Sequence, residues 1–257
     1  MPKEMPRSKE ISNYILWLKQ VESLSFTAGL DYIDVLVDQA GITSPLQNEI
    51  CQLTPNASWF ALFEGTPEAG TIEYSPIVMR LHIAFSSHRL WLEQLVTNFA
   101  GTPRLTFLIS PLTFDLLSRH LQALSQVKWG DQTGLLRYYD NRVFPFLFTH
   151  VLTKEQQAAF TDLALYWSWR KRDGDSAWKA GSYSPERRLA DEPEISEVDD
   201  AQVGLMGCIS DAEALMKEKT ISETNQDIYF SRCLDIAIRA SEANYFGALR
   251  DFAGFDG

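Results

Sequence analysis

The chain is poor in cysteine and has no long apolar stretch. Three cysteines occur among 257 residues, Cys51, Cys208 and Cys233, and they form neither a C-x-x-C pair nor the even set of a disulfide framework. No apolar run approaches the roughly 18 residues of a membrane span, and the first ten residues hold no apolar signal core. We expect reduced, mostly buried thiols, a cytoplasmic location and no membrane contact.

Positive charge is also scarce. The chain has 23 Lys and Arg against 34 Asp and Glu, a formal net charge of −11. A protein that binds a phosphate backbone needs clustered basic side chains, so we expect no nucleic-acid partner. The acidity is uneven, because residues 1–181 carry a net charge of −2 and residues 182–257 carry −9.

The common signatures of catalysis are missing as well. The sequence contains no G-x-x-x-x-G-K-[ST] phosphate loop, no G-x-G-x-x-G after a strand, no H-E-x-x-H and no G-x-S-x-G. Its four histidines lie far from the cysteines, whereas zinc sites usually have at least one closely spaced ligand pair. We expect no enzyme activity, no cofactor and no metal.

What the chain does have is an alternation of apolar runs and helical patterns. With 45% apolar residues it can bury a core of ordinary size. Strand-like runs, with helical patterns between them, begin at Asp31, Trp59, Pro76 and Arg104. The sequence predicts an α/β fold, with a mixed sheet flanked by helices and a small C-terminal helical lobe.

Local signals predict particular turns and helix starts. Capping boxes, in which Ser or Thr precedes Glu or Gln by three residues, begin at Ser44, Thr153 and Ser210. Residues 11–21 show the periodicity of an amphipathic helix, and Pro145 is predicted to interrupt a later helical segment. Turn residues at 130–134 and 173–175 predict two hairpins.

Composition divides the chain into three parts. Residues 1–181 are predicted to form the α/β domain. Residues 182–204 are rich in Ser, Pro, Glu and Asp, which is typical of a linker. Residues 205–257 are predicted to form an acidic helical lobe, and its removal is expected to leave a folded front domain that no longer captures a partner.

Two groups of charged residues are candidates for a site. Asp38 and Glu64 fall at the carboxyl ends of two strands predicted to be neighbours, where open α/β sheets bind ligands. They could hold a metal or act as acid and base, or they could cap helices or accept hydrogen bonds from loop amides. Arg137, Asp140 and Arg142 could clamp an acidic ligand, or they could form a network that fixes a turn beside a binding surface.

Aromatic and basic side chains interleave near the end of the front domain. Single-stranded nucleic-acid binders use such patterns, but the overall charge opposes that function. Protein interfaces use them as well, and packing of some rings in the core is the alternative. The pattern comprises Tyr166, Trp167, Trp169, Arg170, Lys171, Arg172, Trp178 and Tyr183. We hypothesise an interface, which charge reversal of Arg170 to Arg172 should weaken.

Four pieces of sequence between residues 58 and 144 occur in a familiar order. They are SWFALFEGTPE, PIVMRL, LTFLISPLTFDLLSRHL and LLRYYDNRVF. In this order and spacing they resemble domain-of-unknown-function family 4123, the type VI secretion effector adaptors. The chain differs from the family at two turns, with Gln39 where glycine is common and Asn141 where proline is common.

The resemblance implies an adaptor or chaperone that binds a secreted effector in the cytoplasm and loads it onto the valine–glycine repeat spike protein. It brings no catalytic residues. The positions that it carries over, as framework or as surface, are Glu64, Gly65, Thr66, Ser110, Pro111, Arg137, Tyr139, Asp140 and Arg142.

Two other functions are compatible with the sequence. A metal-assisted hydrolase that uses Asp38 and Glu64 would bind a divalent metal and lose it on Asp38→Asn. An immunity protein that neutralises one toxin would protect cells from that toxin, whereas an adaptor would be needed for the toxin's export.

Overall fold

The computed structural model describes residues 8–217 and 225–252. Parts of the predicted front domain and lobe, residues 1–7, 218–224 and 253–257, lie outside the described residues. The strands are β1 (Tyr32–Val37), β2 (Ser58–Ala61), β3 (Ile77–His82), β4 (Leu105–Ile109), β5 (Gln126–Trp129), β6 (Gln132–Leu135), β7 (Tyr166–Arg170), β8 (Ser176–Ala180) and β9 (Ser196–Glu197).

The α-helices of the described part are α1 (Ser8–Thr27), α2 (Gln47–Ile50), α3 (Ser86–Asn98), α4 (Phe114–Leu124), α5 (Phe144–Phe146), α6 (Lys154–Thr161), α7 (Asp200–Met216) and α8 (Gln226–Glu242). Two 3-10 helices, Pro67–Tyr74 and Leu249–Asp251, and a π-helical turn, Leu147–Val151, complete the helical structure. Within these residues no helix combines the length and apolar character needed to cross a bilayer.

Six strands form the main sheet, in the order β2-β3-β1-β4-β7-β8, and every neighbouring pair is antiparallel. The predicted α/β class with flanking helices is confirmed, but the main sheet is antiparallel and not mixed as predicted. Both predicted hairpins are present, as β5–β6 and β7–β8. The first hairpin, however, belongs to a separate small sheet, where β5 also pairs in parallel with β9.

One face of the main sheet is covered by α1 and α3. Alternate strand residues point to the same face, and β1 sends Val35 and Val37 to this one. Trp17 of α1 and Leu92 of α3 belong to the same buried cluster. The indole N–H of Trp17 also donates to Ser168 Oγ of β7 at 2.7 Å, which anchors α1 to the sheet. The predicted amphipathic helix at residues 11–21 is confirmed.

The opposite face forms a second cluster, which is covered by α4, α6, α7 and α8. Leu36, Leu108 and Trp167 line the sheet side of this cluster. The helices contribute the following buried residues, among others: Leu117, Leu121, Phe160, Cys208, Ala212, Phe230 and Leu234. Because α7 and α8 share this core, the C-terminal helices are a layer of the main fold. Their removal would expose its apolar surface.

The start of α7 changes the predicted C-terminal boundaries. The helix begins at Asp200, inside the predicted linker 182–204, and Asp199 caps it in a capping box with Gln202. It runs through Ser210 without a break, so the capping box predicted at Ser210 is wrong. The Ser210 hydroxyl instead donates to Met206 O, one turn back in the same helix.

The other two predicted capping boxes differ in outcome. Thr153 caps α6 with Gln156, as predicted. Ser44 caps nothing, because α2 starts later and the Leu46 amide is already bound by the Gln39 side chain at 2.8 Å. Pro145 lies in the first turn of α5, where proline is tolerated, and the chain continues into the π-helical turn.

A buried ion pair joins the middle of β1 to β3. Arg80 Nε and Nη2 each donate to one carboxylate oxygen of Asp34 at 2.8 Å, and Nη2 also donates to Leu112 O at 2.9 Å. Asp34 lies directly opposite Arg80 in the strand register. A slip by one residue would send every side chain of a strand to the other face, so the pair favours this register. Burial raises the pKa of Asp34, and the hydrogen bonds and charge of Arg80 oppose that rise.

We expect Asp34→Asn to lower the free energy of unfolding by about 3–5 kcal/mol, because it leaves the Arg80 charge buried without a counterion. The double variant Asp34→Leu/Arg80→Met should recover most of this loss. Asp115→Asn is the control, since its pair with Arg119 is exposed and should be worth about 1 kcal/mol or less. Urea unfolding measures the free energy of all three variants. Equal losses for Asp34→Asn and Asp115→Asn would contradict a stabilising role for the buried Asp34–Arg80 pair.

Candidate protein-binding site

The turn at 137–142 lies where β4 begins. The Tyr138 ring is buried, and its hydroxyl donates to Leu121 O at 2.8 Å. Asn141 Oδ1 accepts from the Thr106 hydroxyl at 2.6 Å, and Asn141 Nδ2 donates to Leu105 O at 2.7 Å. The turn is therefore anchored to α4 at one point and to β4 at another. Asn141 supplies side-chain bonds here that proline could not make.

Asp140 organises this turn. Asp140 is 1% exposed, and its carboxylate accepts from Arg137 Nη2 at 2.9 Å. Arg142 supplies three further donors, from Nε at 2.9 Å, from Nη2 at 2.8 Å and from its backbone amide at 3.0 Å. The side chains of Arg137 and Arg142 are 52% and 42% exposed. The network fixes the turn, as one of the two interpretations expected, and it keeps two guanidinium groups at the surface.

The charge state of Asp140 follows from these bonds. Burial by itself would raise the pKa of Asp140, but the hydrogen bonds and charges of Arg142 and Arg137 outweigh it, and the pKa is lowered. The hydrogen bond to Asp140 in turn raises the pKa of Arg142. The ionised cluster is thus the stable form at neutral pH.

Asp38 and Glu64 are not on neighbouring strands, which corrects the sequence-based expectation. β3 lies between β1 and β2 in the sheet. Asp38 is buried, accepts from the Ala40 amide at 2.9 Å and has a pKa raised by burial. Glu64 is exposed. Across residues 8–217 and 225–252, no three His, Cys, Asp or Glu side chains are grouped as metal ligands.

Glu64, Gly65 and Thr66 form the turn after β2. Gly65 has φ +70°, a conformation that favours glycine. The Thr66 hydroxyl accepts from the Glu68 amide and starts the 3-10 helix. The Glu64 carbonyl accepts from Gln122 Nε2 at 2.6 Å. This motif therefore shapes the backbone and leaves the Glu64 carboxylate free at the surface.

Ser110 and Pro111 end β4, and their role is structural. The Ser110 hydroxyl is buried and donates to Leu163 O at 2.6 Å. The backbone carbonyl of Ser110 accepts from the Tyr32 hydroxyl at 3.0 Å. Tyr139 is also buried, with its ring 6.3 Å from that of Phe63.

Most of the aromatic and basic cluster is core. Trp167 and Trp169 are 1% and 7% exposed, and the Arg170 guanidinium is buried over the Tyr14 ring at 4.3 Å. These side chains do not face solvent, so the core alternative describes them. Trp178 is half-buried and Tyr166 is 38% exposed. Charge reversal at Arg170 would disturb folding, and it cannot serve as a binding test.

Arg172 joins the turn at 137–142 to the C-terminal helices. Its Nη2 donates to Arg142 O at 2.8 Å and also to the Glu213 carboxylate of α7. Its guanidinium lies 4.0 Å from the ring centroid of Phe230 of α8. Asp227 of α8 is 3.9 Å from Arg172 Nε. We name these contacts the Arg172 junction.

The comparisons identify the domain that contains this turn. Residues 35–159 match the family model described as Domain of unknown function (DUF4123). This segment, just under half of the chain, is similar to the DUF4123 family. No curated protein matches the chain, and no solved structure matches it either. The match runs from the second half of β1 to most of α6, and it includes β2, β3 and β4 of the main sheet in full.

Sequence reasoning missed the Arg172 junction, which lies beyond the DUF4123 match. Glu213 stands 41 residues from Arg172 in the chain, and no local pattern links them. Gln39 was noted only as a departure from a common glycine. Its side chain in fact bonds both Leu46 N and Ser75 O.

We expect Asp140→Asn to cost about 1–3 kcal/mol of stability at pH 7, since its charge-assisted bonds are lost. The folded-state pKa of Asp140 is lowered, so this contribution is fully present above the unfolded value near 3.9. It disappears as the pH falls through the lower folded-state pKa. Unfolding titrations from pH 7 to about pH 2 should show the two proteins converging. Asp191→Asn, at a carboxylate that is 75% exposed, should show no such trend.

We expect Arg172→Met to cost about 2–3 kcal/mol, because Arg172 is nearly buried while its acidic partners keep some contact with water. Limited proteolysis should then cut within 200–242 sooner than in the unaltered protein. Arg239→Met, which breaks an exposed pair with Asp235, is the matched control. Unchanged protease resistance in Arg172→Met would contradict a role in docking α7 and α8.

Proposed function

We propose that this protein is a type VI secretion adaptor, which binds a toxic effector in the cytoplasm and loads it onto the valine–glycine repeat spike protein. The observation that carries the proposal is the DUF4123 domain at residues 35–159. The motif resemblance between residues 58 and 144 supports this role for the domain.

The proposed mode of action is binding without catalysis. In the DUF4123 domain, the motif positions mainly build and fix the backbone, as the bonds of Thr66, Ser110 and Asp140 illustrate. Arg137 differs from them, since its side chain is 52% exposed while Asp140 keeps it in place. A preordered guanidinium at the surface is suited to a carboxylate of a partner protein.

Purification of the tagged protein from its native host, followed by mass spectrometry, tests the proposal. We expect recovery of a spike protein together with a toxin-like polypeptide. Arg137→Glu should lower recovery of the effector by about ten-fold or more, since a charge-assisted bond becomes a repulsion. Arg188→Glu, at a side chain that is 91% exposed, makes the same change in net charge and should leave recovery unchanged.

Other outcomes would contradict the adaptor function. A monomer that carries stoichiometric metal, lost on Asp38→Asn, would indicate a hydrolase. A protein that protects cells from the toxin but is not required for its export would be an immunity protein.

A further inference from the structure

A groove lies along the outer edge of β2, the strand at one end of the main sheet. Its volume is about 390 Å³. It is lined by residues of three segments: Pro45, Gln47 and Asn48; Trp59 and Ala61 of β2; and Glu64, Ile72 and Glu73, the last two of which belong to the 3-10 helix. We call it the β2 groove.

The outer edge of β2 faces this groove. Among the residues that the structure describes, β2 pairs with β3 alone. The Leu62 amide donates to Pro76 O at 2.9 Å, in register with the β2–β3 ladder. Because amide directions alternate along a strand, those of Trp59 and Ala61 point away from β3. Ala61 is 2% exposed, and its carbonyl already accepts from the Glu64 amide at 3.0 Å. Half-buried Trp59 therefore provides the edge groups that an added strand could pair with.

The walls of the groove are held in place from below. Gln39 is fully buried, and its Oε1 accepts from the Leu46 amide at 2.8 Å. Its Nε2 donates to Ser75 O at 2.7 Å, just after the 3-10 helix. One side chain thus ties both walls together. A groove that is ordered before binding avoids part of the entropy cost of association.

The lining combines apolar surface with acidic charge. Trp59 and Ile72 supply apolar contact, and Ile72 is 39% exposed. Glu64 and Glu73 are exposed, and the lining contains no Lys, Arg or His. A second copy of the chain would bring the same carboxylates face to face, which like-charge repulsion disfavours. Charge complementarity instead favours a segment with Lys or Arg next to apolar residues.

We propose that the β2 groove binds an extended basic segment of the secreted effector, which joins the sheet as a strand beside β2. This inference rests on the proposed adaptor function and specifies its contact. Backbone bonds to Trp59 provide the pairing. Glu64 and Glu73 select basic side chains, and the pocket beside Ile72 takes an apolar one.

Labelled peptides of about eight residues, a usual strand length, test the groove by fluorescence anisotropy with the full chain. One peptide alternates Val and Lys, the second alternates Val and Glu, and the third is the Val/Lys peptide with alternate backbone nitrogens methylated. We expect the first to bind, and the other two to bind about ten-fold more weakly or worse, because they lack the charge or the backbone donors.

Charge reversal separates the groove from general attraction to an acidic protein. Glu64→Lys/Glu73→Lys should weaken binding of the Val/Lys peptide by on the order of ten-fold. Glu186→Lys/Glu192→Lys makes the same change in net charge at exposed residues elsewhere and should leave binding unchanged. Equal loss in both variants, or full binding of the methylated peptide, would overturn the proposal. So would a dimer of the unaltered chain that the Glu64/Glu73 reversal dissociates.

Purification from the native host distinguishes this proposal from the adaptor function. Loss of the effector from Glu64→Lys/Glu73→Lys alone would support the groove as its docking site. Recovery of the effector with both double variants would overturn the groove and leave the adaptor function standing. Failure of the unaltered chain to recover any effector would contradict the adaptor function itself, even if the peptides bind as expected.

Discussion

The structure depends on a sheet whose central strands are apolar on both faces. Such a sheet must be covered by other elements on both faces. α1 and α3 cover one face, and α4, α6, α7 and α8 cover the other. This constraint makes the C-terminal helices part of the core, whatever their acidity. The DUF4123 match, which ends in α6, therefore includes only part of the helical cover that its own strands require.

Charged groups inside this apolar frame set its details. The pair Asp34–Arg80 matches the register of β1 to β3, and Asp140 holds the turn at the start of β4 together. Arg172 then connects the turn at 137–142 to the C-terminal helices, α7 and α8, through side-chain bonds. A displacement of the turn would strain those bonds to the helices.

Sequence patterns predicted the elements better than their arrangement. Apolar runs located the main strands, and Thr153 marked the start of α6. Antiparallel order could not be read from those runs, since a strand buried on both faces has the same pattern in either orientation. The opposed charges of Asp34 and Arg80, each inside an apolar run, were a readable sign of a cross-strand pair. The partners of Gln39 and Arg172 were not readable, because side-chain bonds over long separations leave no periodicity.

The two faces of the sheet also differ in when they can be completed during synthesis. Both helices that cover one face, α1 and α3, have been translated by residue 98, although later strands of the sheet have not. The other face gains α4 and α6 early, but its cover is complete only after α8, which ends at Glu242, has been made. A nascent chain would therefore expose part of an apolar core until α8 is made. Protection of that surface by a general chaperone, or rapid closure after release, becomes part of how this protein reaches its working form.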